Sequence, residues 1–550
     1  MSSVSPVTGE PLPVPRPATG LPSVLRPLAL ARAGEGASVM PATAAVLALA
    51  AAVYLVNLTI SGYANVYYSG AAWAASQSWS AWFMGSIDPA NFITLDKPPL
   101  STMVMGLSVR LFGLSSASIL VPEALMGIAA VGLLMAAVRR TFGGPASIIA
   151  GLVMALTPAA VLIFRYNNPD ALLTLLLVAA AYALLRALER DRFRWLVLSG
   201  VLVGLAFNTK LLQAYLVLPA FVITYAFAAP GSIRRRIGGL GLAALAVLVS
   251  SAWWVVGMDL VPATSRAYVG GSTNNSAIDL VLGYDGLGRI FGGGGGAGVG
   301  PGGGGGFSGS PGILRLFNAQ LGGQVAWLLP MSIIGLVTGL GARWRAPRTD
   351  LARAAFLLWG LWLVVHIVVF SFMSGVIHSY YTVMMAPAIG ALVGGGVVVM
   401  WRARAWIPWA GVVLGLSIMA SAAMAWILLD RTPDFAPGLG LAIVAVATVV
   451  AVIIALPPRT ERAPAQLAAI VLGLAMLLAA PTAYAIDTMT SAHSGGDPAA
   501  GPSADAGFGR PGGGFAGAPG RFGGPAGGGL DSATLDYLLA NQGSARWLVA

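Results

Sequence analysis

Apolar runs long enough to span a bilayer follow one another through most of this chain. They fall near residues 42–60, 118–138, 145–163, 170–186, 195–209, 211–228, 237–257, 323–341, 354–372, 381–400, 406–428, 437–456 and 466–486. A hydrocarbon core about 30 Å thick takes about 20 helical residues to cross. The pattern therefore predicts an all-α polytopic membrane protein with about 13 transmembrane helices. Four stretches lack it. Residues 1–38, rich in Pro, Ser and Gly, read as a disordered tail. The first apolar run begins too late for a signal peptide and is long enough to span. Residues 61–116 form a long polar and aromatic segment with Trp73, Trp79, Trp82, Tyr63, Tyr67 and Tyr68. That density of Trp and Tyr predicts helices lying at headgroup level. Residues 258–322 form a second loop, nearly all Gly over Gly292–Gly306, and residues 491–550 form a Gly- and Pro-rich tail. Its end reads as one amphipathic helix, Ser532–Asn541, and a strand-like Arg546–Val549. These either dock on the external face or open a domain that this sequence does not complete.

Composition agrees with the pattern. Hydrophobic residues make up 57 % and charged residues 9 % of the chain, where a soluble domain carries about 25 % charged. The net charge is +11, and most of the arginine lies in short loops. The clusters Arg139-Arg140, Arg186 to Arg194, Arg234 to Arg236, Arg343 to Arg353, Arg402 with Arg404, and Arg459 with Arg462 occupy alternate loops. If the short apolar run 99–113 lies in the interface, all six clusters fall on one side with the N-terminus. The positive-inside rule then makes that side cytoplasmic and the C-terminus external.

This topology gathers the other ionisable groups on the external face: Asp88, Asp96, Lys97, Asp170, Lys210, Asp259 and His378. The strings Arg165-Tyr166-Asn167-Asn168-Pro169-Asp170 and His378-Ser379-Tyr380-Tyr381 fall there too. Charges at membrane depth are costly and mark function. Of 31 Lys and Arg, only Lys97 and Lys210 are lysines. A residue kept as lysine is a candidate for a compact point charge, where arginine would present a planar fork. Lys97 lies in Asp96-Lys97-Pro98-Pro99, on a turn stiffened by two prolines. The chain has no cysteine, and its three histidines, far apart, form no metal-spacing motif. His366 reads as a packed core residue. The Gly-rich tracts lack the strand-to-helix context of a phosphate-binding loop.

A first span, a long loop with Tyr-Tyr, Asp96-Lys97-Pro98-Pro99-Leu100, Leu111-Phe112-Gly113 and Arg139-Arg140-Thr141-Phe142-Gly143 occur in that order. With Arg165…Asp170, Asn208-Thr209-Lys210 and His378…Tyr381, they make the chain resemble the polyprenyl-phosphate-sugar glycosyltransferases of the GT-C superfamily over residues 42–400. Within it the chain is similar to the family 39-like protein mannosyltransferases and aminoarabinose transferases, and most to an actinobacterial mannosyltransferase-like branch. The resemblance implies a GT-C transmembrane domain over residues 39–490 and a membrane hexosyltransferase. Such an enzyme moves mannose or another hexose from a polyprenyl-phosphate donor to a protein, glycan or lipid acceptor outside the plasma membrane. It further implies Lys97, Lys210 and Arg165 at the donor phosphate. The expected contacts to substrate are Asn65, Tyr67, Tyr68, Asn168, His378, Tyr380 and Tyr381. Relatives carry an Asp-Glu pair early in the first external loop, and Asn65 is the nearest counterpart here. Asn cannot act as a base, so Asp96 becomes the candidate general base, with Asp88 and Asp170 as rivals. No cofactor is called for; a divalent metal stays open because relatives bind divalent ions. Two other readings remain: a transporter or lipid flippase, which would place charges or broken helices near the midplane, and a catalytically inactive membrane scaffold.

Overall fold

The computed structural model describes residues 39–283, 308–375, 377–407, 409–457, 460–502 and residue 540. The tail 1–38, the Gly292–Gly306 tract and, save residue 540, the C-terminal elements expected at 532–549 lie outside them. The described residues form α-helices and short 3₁₀ turns, with two isolated bridges, Ser86 to Thr94 and Ile93 to Tyr268, and no strand. Ten helices among them are long and apolar enough to cross a membrane. The protein is a multi-pass membrane protein.

The chain opens with α1 (Val39–Leu55). The loop that follows carries α2 (Val66–Gln77), α3 (Trp79–Met84) and α4 (Leu100–Phe112). Then come α5 (Ser116–Phe142), α6 (Gly144–Leu156), α7 (Pro158–Ile163), α8 (Asp170–Arg190), α9 (Phe193–Lys210), α10 (Leu218–Ala228) and α11 (Ile233–Leu260). A one-and-a-half-turn α12 (Ala277–Leu282) precedes α13 (Leu329–Ala342), α14 (Leu351–Phe372), α15 (Ala386–Ala403), α16 (Ala410–Leu429), α17 (Leu439–Ala455) and α18 (Ala463–Thr490). Each expected span meets helical structure, but not always as a single long helix. The span at 145–163 breaks at Thr157 into α6 and α7. The spans at 195–209 and 211–228 form one apolar stretch, Phe193–Ala228, broken after Lys210 by Leu211 at φ 45°. Helix α17 has 17 residues. Helix α4, at 13 residues, rises about 20 Å at 1.5 Å per residue, short of a crossing.

Local chemistry sets the helix ends. Ser115 and Ser118 form a capping box at the start of α5, each hydroxyl 3.1 Å from the other's backbone nitrogen. Asp350 Oδ1 accepts the Arg353 N–H at 2.7 Å and starts α14. The middle of the bundle is α15, with the 3₁₀ turn Ser379–Met385 leading into it. In the apolar window of this span 94 % of residues are buried, against 28 % for α1 and for α11. Glycine makes that burial feasible: a Cβ at Gly390 would sit 2.7 Å from the Ala150 carbonyl oxygen, so α6 and α15 touch backbone to backbone.

Arginines from four of the clusters meet at one end of the bundle. Arg140 and Arg186 both pair with Glu189, at 3.1 and 3.4 Å. Arg235 pairs with Asp191 at 3.0 Å, and Arg348 donates to the Phe227 carbonyl at 3.0 Å. Residues 61, 165–170, 210 and 378 lie at the opposite helix ends, where α1 ends, α8 begins, α9 ends and α15 is entered. Two faces with different chemistry follow from one pattern of alternation.

Candidate active site

The Asp96–Lys97 turn is built from three segments. Leu95 donates its N–H to the Gly85 carbonyl at 2.9 Å, and Thr94 donates to the Tyr268 carbonyl at 2.8 Å. The Gly270 N–H reaches Thr94 Oγ1 at 3.0 Å. Pro99 then opens α4, its carbonyl accepting from Met103 N at 2.7 Å and Thr102 Oγ1 at 2.9 Å. On this base Lys97 Nζ donates to both oxygens of Asp96, at 2.9 and 3.0 Å. The Asp96 N–H donates to the Tyr67 hydroxyl at 3.1 Å. Lys97 also lies 5.9 Å from the Tyr68 ring centre. Burial pushes the Tyr68 phenol well up, and the Lys97 ammonium partly opposes that. Tyr68 is therefore a neutral hydrogen-bonding group at physiological pH.

Close approach at Gly270 makes this turn sensitive. A Cβ there would overlap the Thr94 carbonyl oxygen and press on Leu95. We predict that Gly270→Ala displaces the Asp96–Lys97 turn and destabilises the protein by about 1–3 kcal/mol. Thermal unfolding and donor binding measured on the same preparation would both show the loss; a variant that is wild type in both contradicts the packing.

The second lysine is also paired with an aspartate. Asp170, at the first position of α8, is fully buried and ion-pairs with Lys210 at the end of α9. Gln213 Nε2 lies 3.4 Å from its other oxygen, and Asn168 Oδ1 accepts the Asp170 N–H at 3.1 Å. The strained Leu211 turns the chain here, ending α9 and letting the 3₁₀ turn Leu211–Val217 bring Gln213 to Asp170. Lys210 Nζ sits 3.7 Å from the Tyr381 ring centre and 5.0 Å from that of Tyr380. The His378 ring stacks on Tyr380 with centres 5.2 Å apart and planes 9° apart. Lys210 thus rests on an aromatic shelf of Tyr380 and Tyr381, Lys97 lies by Tyr68, and all three tyrosines are buried.

Several polar residues near the site, Asn65, Arg165 and Asp88 among the expected ones, hydrogen-bond to the surrounding frame. Asn65 caps α2, its Oδ1 accepting the Tyr67 N–H at 3.0 Å, while its backbone exchanges two 2.8 Å bonds with the Asn167 amide. Arg165 donates to the carbonyls of Val53, Val56 and Asn57 at 2.8, 2.7 and 2.9 Å, closing the end of α1. Burial lowers it to about 10, so it stays a cation at neutral pH. Asp88 accepts from Ala90 N at 2.8 Å and Phe92 N at 2.9 Å, ordering its own loop. Asp259 starts α12 through Ala277 N at 2.8 Å and Ser276 Oγ at 2.8 Å. His366 packs in the core with Nδ1 2.8 Å from the Trp362 carbonyl. Among the described residues, no group of three or more His, Cys, Asp or Glu could hold a metal ion. Sequence reading missed Gln213, which carries no charge and sits in an apolar run. It also missed the 262–272 segment that buttresses Thr94.

Residues 96–255 match the family described as dolichyl-phosphate-mannose-protein mannosyltransferase. The putative mannosyltransferase YycA of Bacillus subtilis is 33 % identical over 437 residues, 65 % of this chain and 64 % of the relative. The putative mannosyltransferase YkcB of the same organism is 32 % identical over 437 residues, 64 % of this chain and 61 % of the relative. The chain thus spans less than two thirds of the length of either. The crystal structure of ArnT from Cupriavidus metallidurans bound to undecaprenyl phosphate superposes with a TM-score of 0.51 at 21 % identity, covering 81 % of this chain and 75 % of that one. The chain shares the fold of that structure and is similar in sequence to the two mannosyltransferase relatives. The family match begins at Asp96, the first residue of the first Asp–Lys pair, and contains both pairs. The shared fold brings both pairs to one end of the bundle.

Proposed function

We propose that this protein is a membrane hexosyltransferase that moves a sugar, mannose first among the candidates, from a polyprenyl-phosphate donor to an acceptor hydroxyl. The reaction takes place on the external side of the plasma membrane, with the N-terminus cytoplasmic and the C-terminus external. The observation that carries this reading is the pairing of both lysines of the chain with aspartates, each ammonium beside a buried tyrosine. The mannosyltransferase relatives favour mannose, and the ArnT likeness favours a polyprenyl-phosphate carrier. A transporter would want its charges near the midplane, and these lie at helix ends.

Asp96 is the general base in this reading. Asp88 has both oxygens committed to its loop, and Asp170 is sealed against Lys210. The Asp96 side chain keeps 22 % of its surface exposed. The donor is a phosphodiester with one negative charge, and the leaving polyprenyl phosphate is a monoester carrying a second. The acceptor oxygen attacks the anomeric carbon, the bond from that carbon to the phosphate oxygen breaks, and the hydroxyl proton goes to Asp96. Protonating Asp96 neutralises the partner of Lys97 as the phosphate gains its extra charge. The ammonium is then released toward the leaving group at the moment it is wanted.

Asp96→Asn separates the two halves of this account. It is expected to lower turnover about 10²–10⁴-fold, the range for removing a general base, while donor binding holds or tightens because Lys97 loses its internal partner. Native mass spectrometry of the full chain with undecaprenyl-phosphate mannose and undecaprenyl-phosphate glucose reads binding, and sugar release reads turnover. Binding of neither lipid by the wild-type protein would overturn the proposed donor; undiminished turnover by the variant would remove Asp96 as the base.

A further inference from the structure

Beyond α18 the chain doubles back across the site-bearing face. The His493 N–H donates to Ser61 Oγ at 3.0 Å, and the Tyr166 hydroxyl donates to the Gly495 carbonyl at 2.7 Å. Ser379 Oγ donates to the Pro498 carbonyl at 3.2 Å. The Gln324 amide exchanges two bonds with the backbone of Ala500, at 3.0 and 2.9 Å. Gly501 N donates to Thr488 Oγ1 at 3.0 Å, bringing the strap back to α18. Residues 493–501 therefore tie together the first external loop, the loop before α8, the turn into α15 and the helical turn Gly322–Val325. Three of those four carry residues placed in the candidate site.

The strap has one carboxylate, Asp497. Its Oδ1 lies 3.4 Å from His378 Nδ1 and accepts the Ser379 N–H at 3.4 Å. Both side chains are largely covered, at 17 % and 15 % exposure. His378 lies flat on Tyr380 and edge-on to Tyr381, with ring centres 5.2 Å apart in each case. Those two tyrosine rings receive the Lys210 ammonium. A contact chain thus runs from Asp497 through His378 and the tyrosines to Lys210 and Asp170.

We propose that Asp497 is a positioning residue: it fixes the His378 ring against Tyr380, and so sets the aromatic shelf that holds Lys210 at the donor-phosphate subsite. The inference rests on the donor-phosphate reading of Lys210 given above. The chemistry favours a carboxylate in this place. An imidazole stacked on a phenol is still free to slide and turn in its plane, and a carboxylate at Nδ1 removes that freedom by fixing which ring nitrogen faces the strap. The Ser379 N–H on the same oxygen ties the carboxylate to the backbone beside the ring it orients.

The test uses the full chain in nanodiscs, with Asp497→Asn and Asp497→Glu. Histidine-labelled NMR gives three imidazoles to distinguish, and His378→Gln identifies the His378 resonance. The expected result is a moved His378 resonance in Asp497→Asn and a resonance near wild type in Asp497→Glu. Binding of undecaprenyl phosphate, the probe, is expected to weaken about tenfold in the Asn variant and to recover to within about threefold in the Glu variant. An unmoved His378 resonance in Asp497→Asn overturns the proposal. So does equal weakening by both variants together with a lowered melting temperature, because Asp497 would then be a tether for the strap. If the wild-type protein binds no undecaprenyl phosphate, the donor reading fails separately and the His378 resonance alone decides the positioning.

Discussion

Lys97→Ala is expected to lower sugar transfer by about 10²–10³-fold, about 2.7–4 kcal/mol, the range for losing one preorganised donor to a developing oxyanion. The expectation comes from the position of the residue. The Lys97 side chain is 10 % exposed, spans both oxygens of Asp96, and lies against Tyr68. In such an enclosure a cation interacts more strongly with a phosphate than it would in water. The substitution also strips Asp96 of its counter-charge. The bare carboxylate then faces an incoming phosphodiester, so repulsion adds to the lost attraction. Donor binding and turnover should both fall, in contrast to Asp96→Asn, where they separate. Lys97→Arg should recover only part of the loss, since a guanidinium is longer and planar and cannot take the same two oxygens from the same turn without displacing Tyr68. Binding and turnover of undecaprenyl-phosphate mannose, measured on the three proteins side by side, check this. A Lys97→Ala protein that binds and turns over the lipid like wild type would return the residue to a purely structural ion pair.

Much of this arrangement follows from patterns that are visible in the amino-acid order. The helical segments were legible because burial in lipid leaves little choice: long apolar runs must satisfy their backbone internally as helices. The gathering of Arg140, Arg186 and Arg235 at one end, and of Asp96, Lys97, Asp170 and Lys210 at the other, follows from counting alternate loops. The Asp96–Lys97 pair was legible as neighbours on a proline-stiffened turn. The sequence does not state which partner a side chain selects after folding. Asp170 and Lys210 are 40 positions apart, and their pairing depends on how α8 meets α9. Arg165 was legible as a cation near the site, yet its fork fits the open carbonyls at the end of α1. A guanidinium beside a helix end and one beside a phosphate look alike in a sequence. Asp497 was invisible for another reason. It lies between glycines and prolines with no periodicity to read, and only tertiary contact brings it to His378.

The Asp170–Lys210 pair is where stability and function can be pulled apart. Asp170 is fully buried and Lys210 nearly so. Breaking such a pair from one side leaves an uncompensated charge in a poorly solvated place, and typically costs about 3–5 kcal/mol. Asp170→Asn and Lys210→Met are therefore each expected to lower the unfolding free energy by about that amount. The double variant removes both charges, and replacing a buried pair by uncharged groups of similar volume is often close to neutral. It should therefore be more stable than either single variant, by about 2 kcal/mol or more on the same scale. Activity should not follow stability back. If Lys210 acts on the donor phosphate, the double variant stays inactive while its melting temperature recovers, because the thioether that replaces the ammonium supplies no charge to the leaving group. Thermal unfolding and sugar transfer, measured across the four corners of the cycle, read the two outcomes independently. Recovery of transfer along with stability would mean that Lys210 only neutralises Asp170. Inactivity in a folded, stable double variant assigns Lys210 to the chemistry, and with it the tyrosine shelf that holds its ammonium in place.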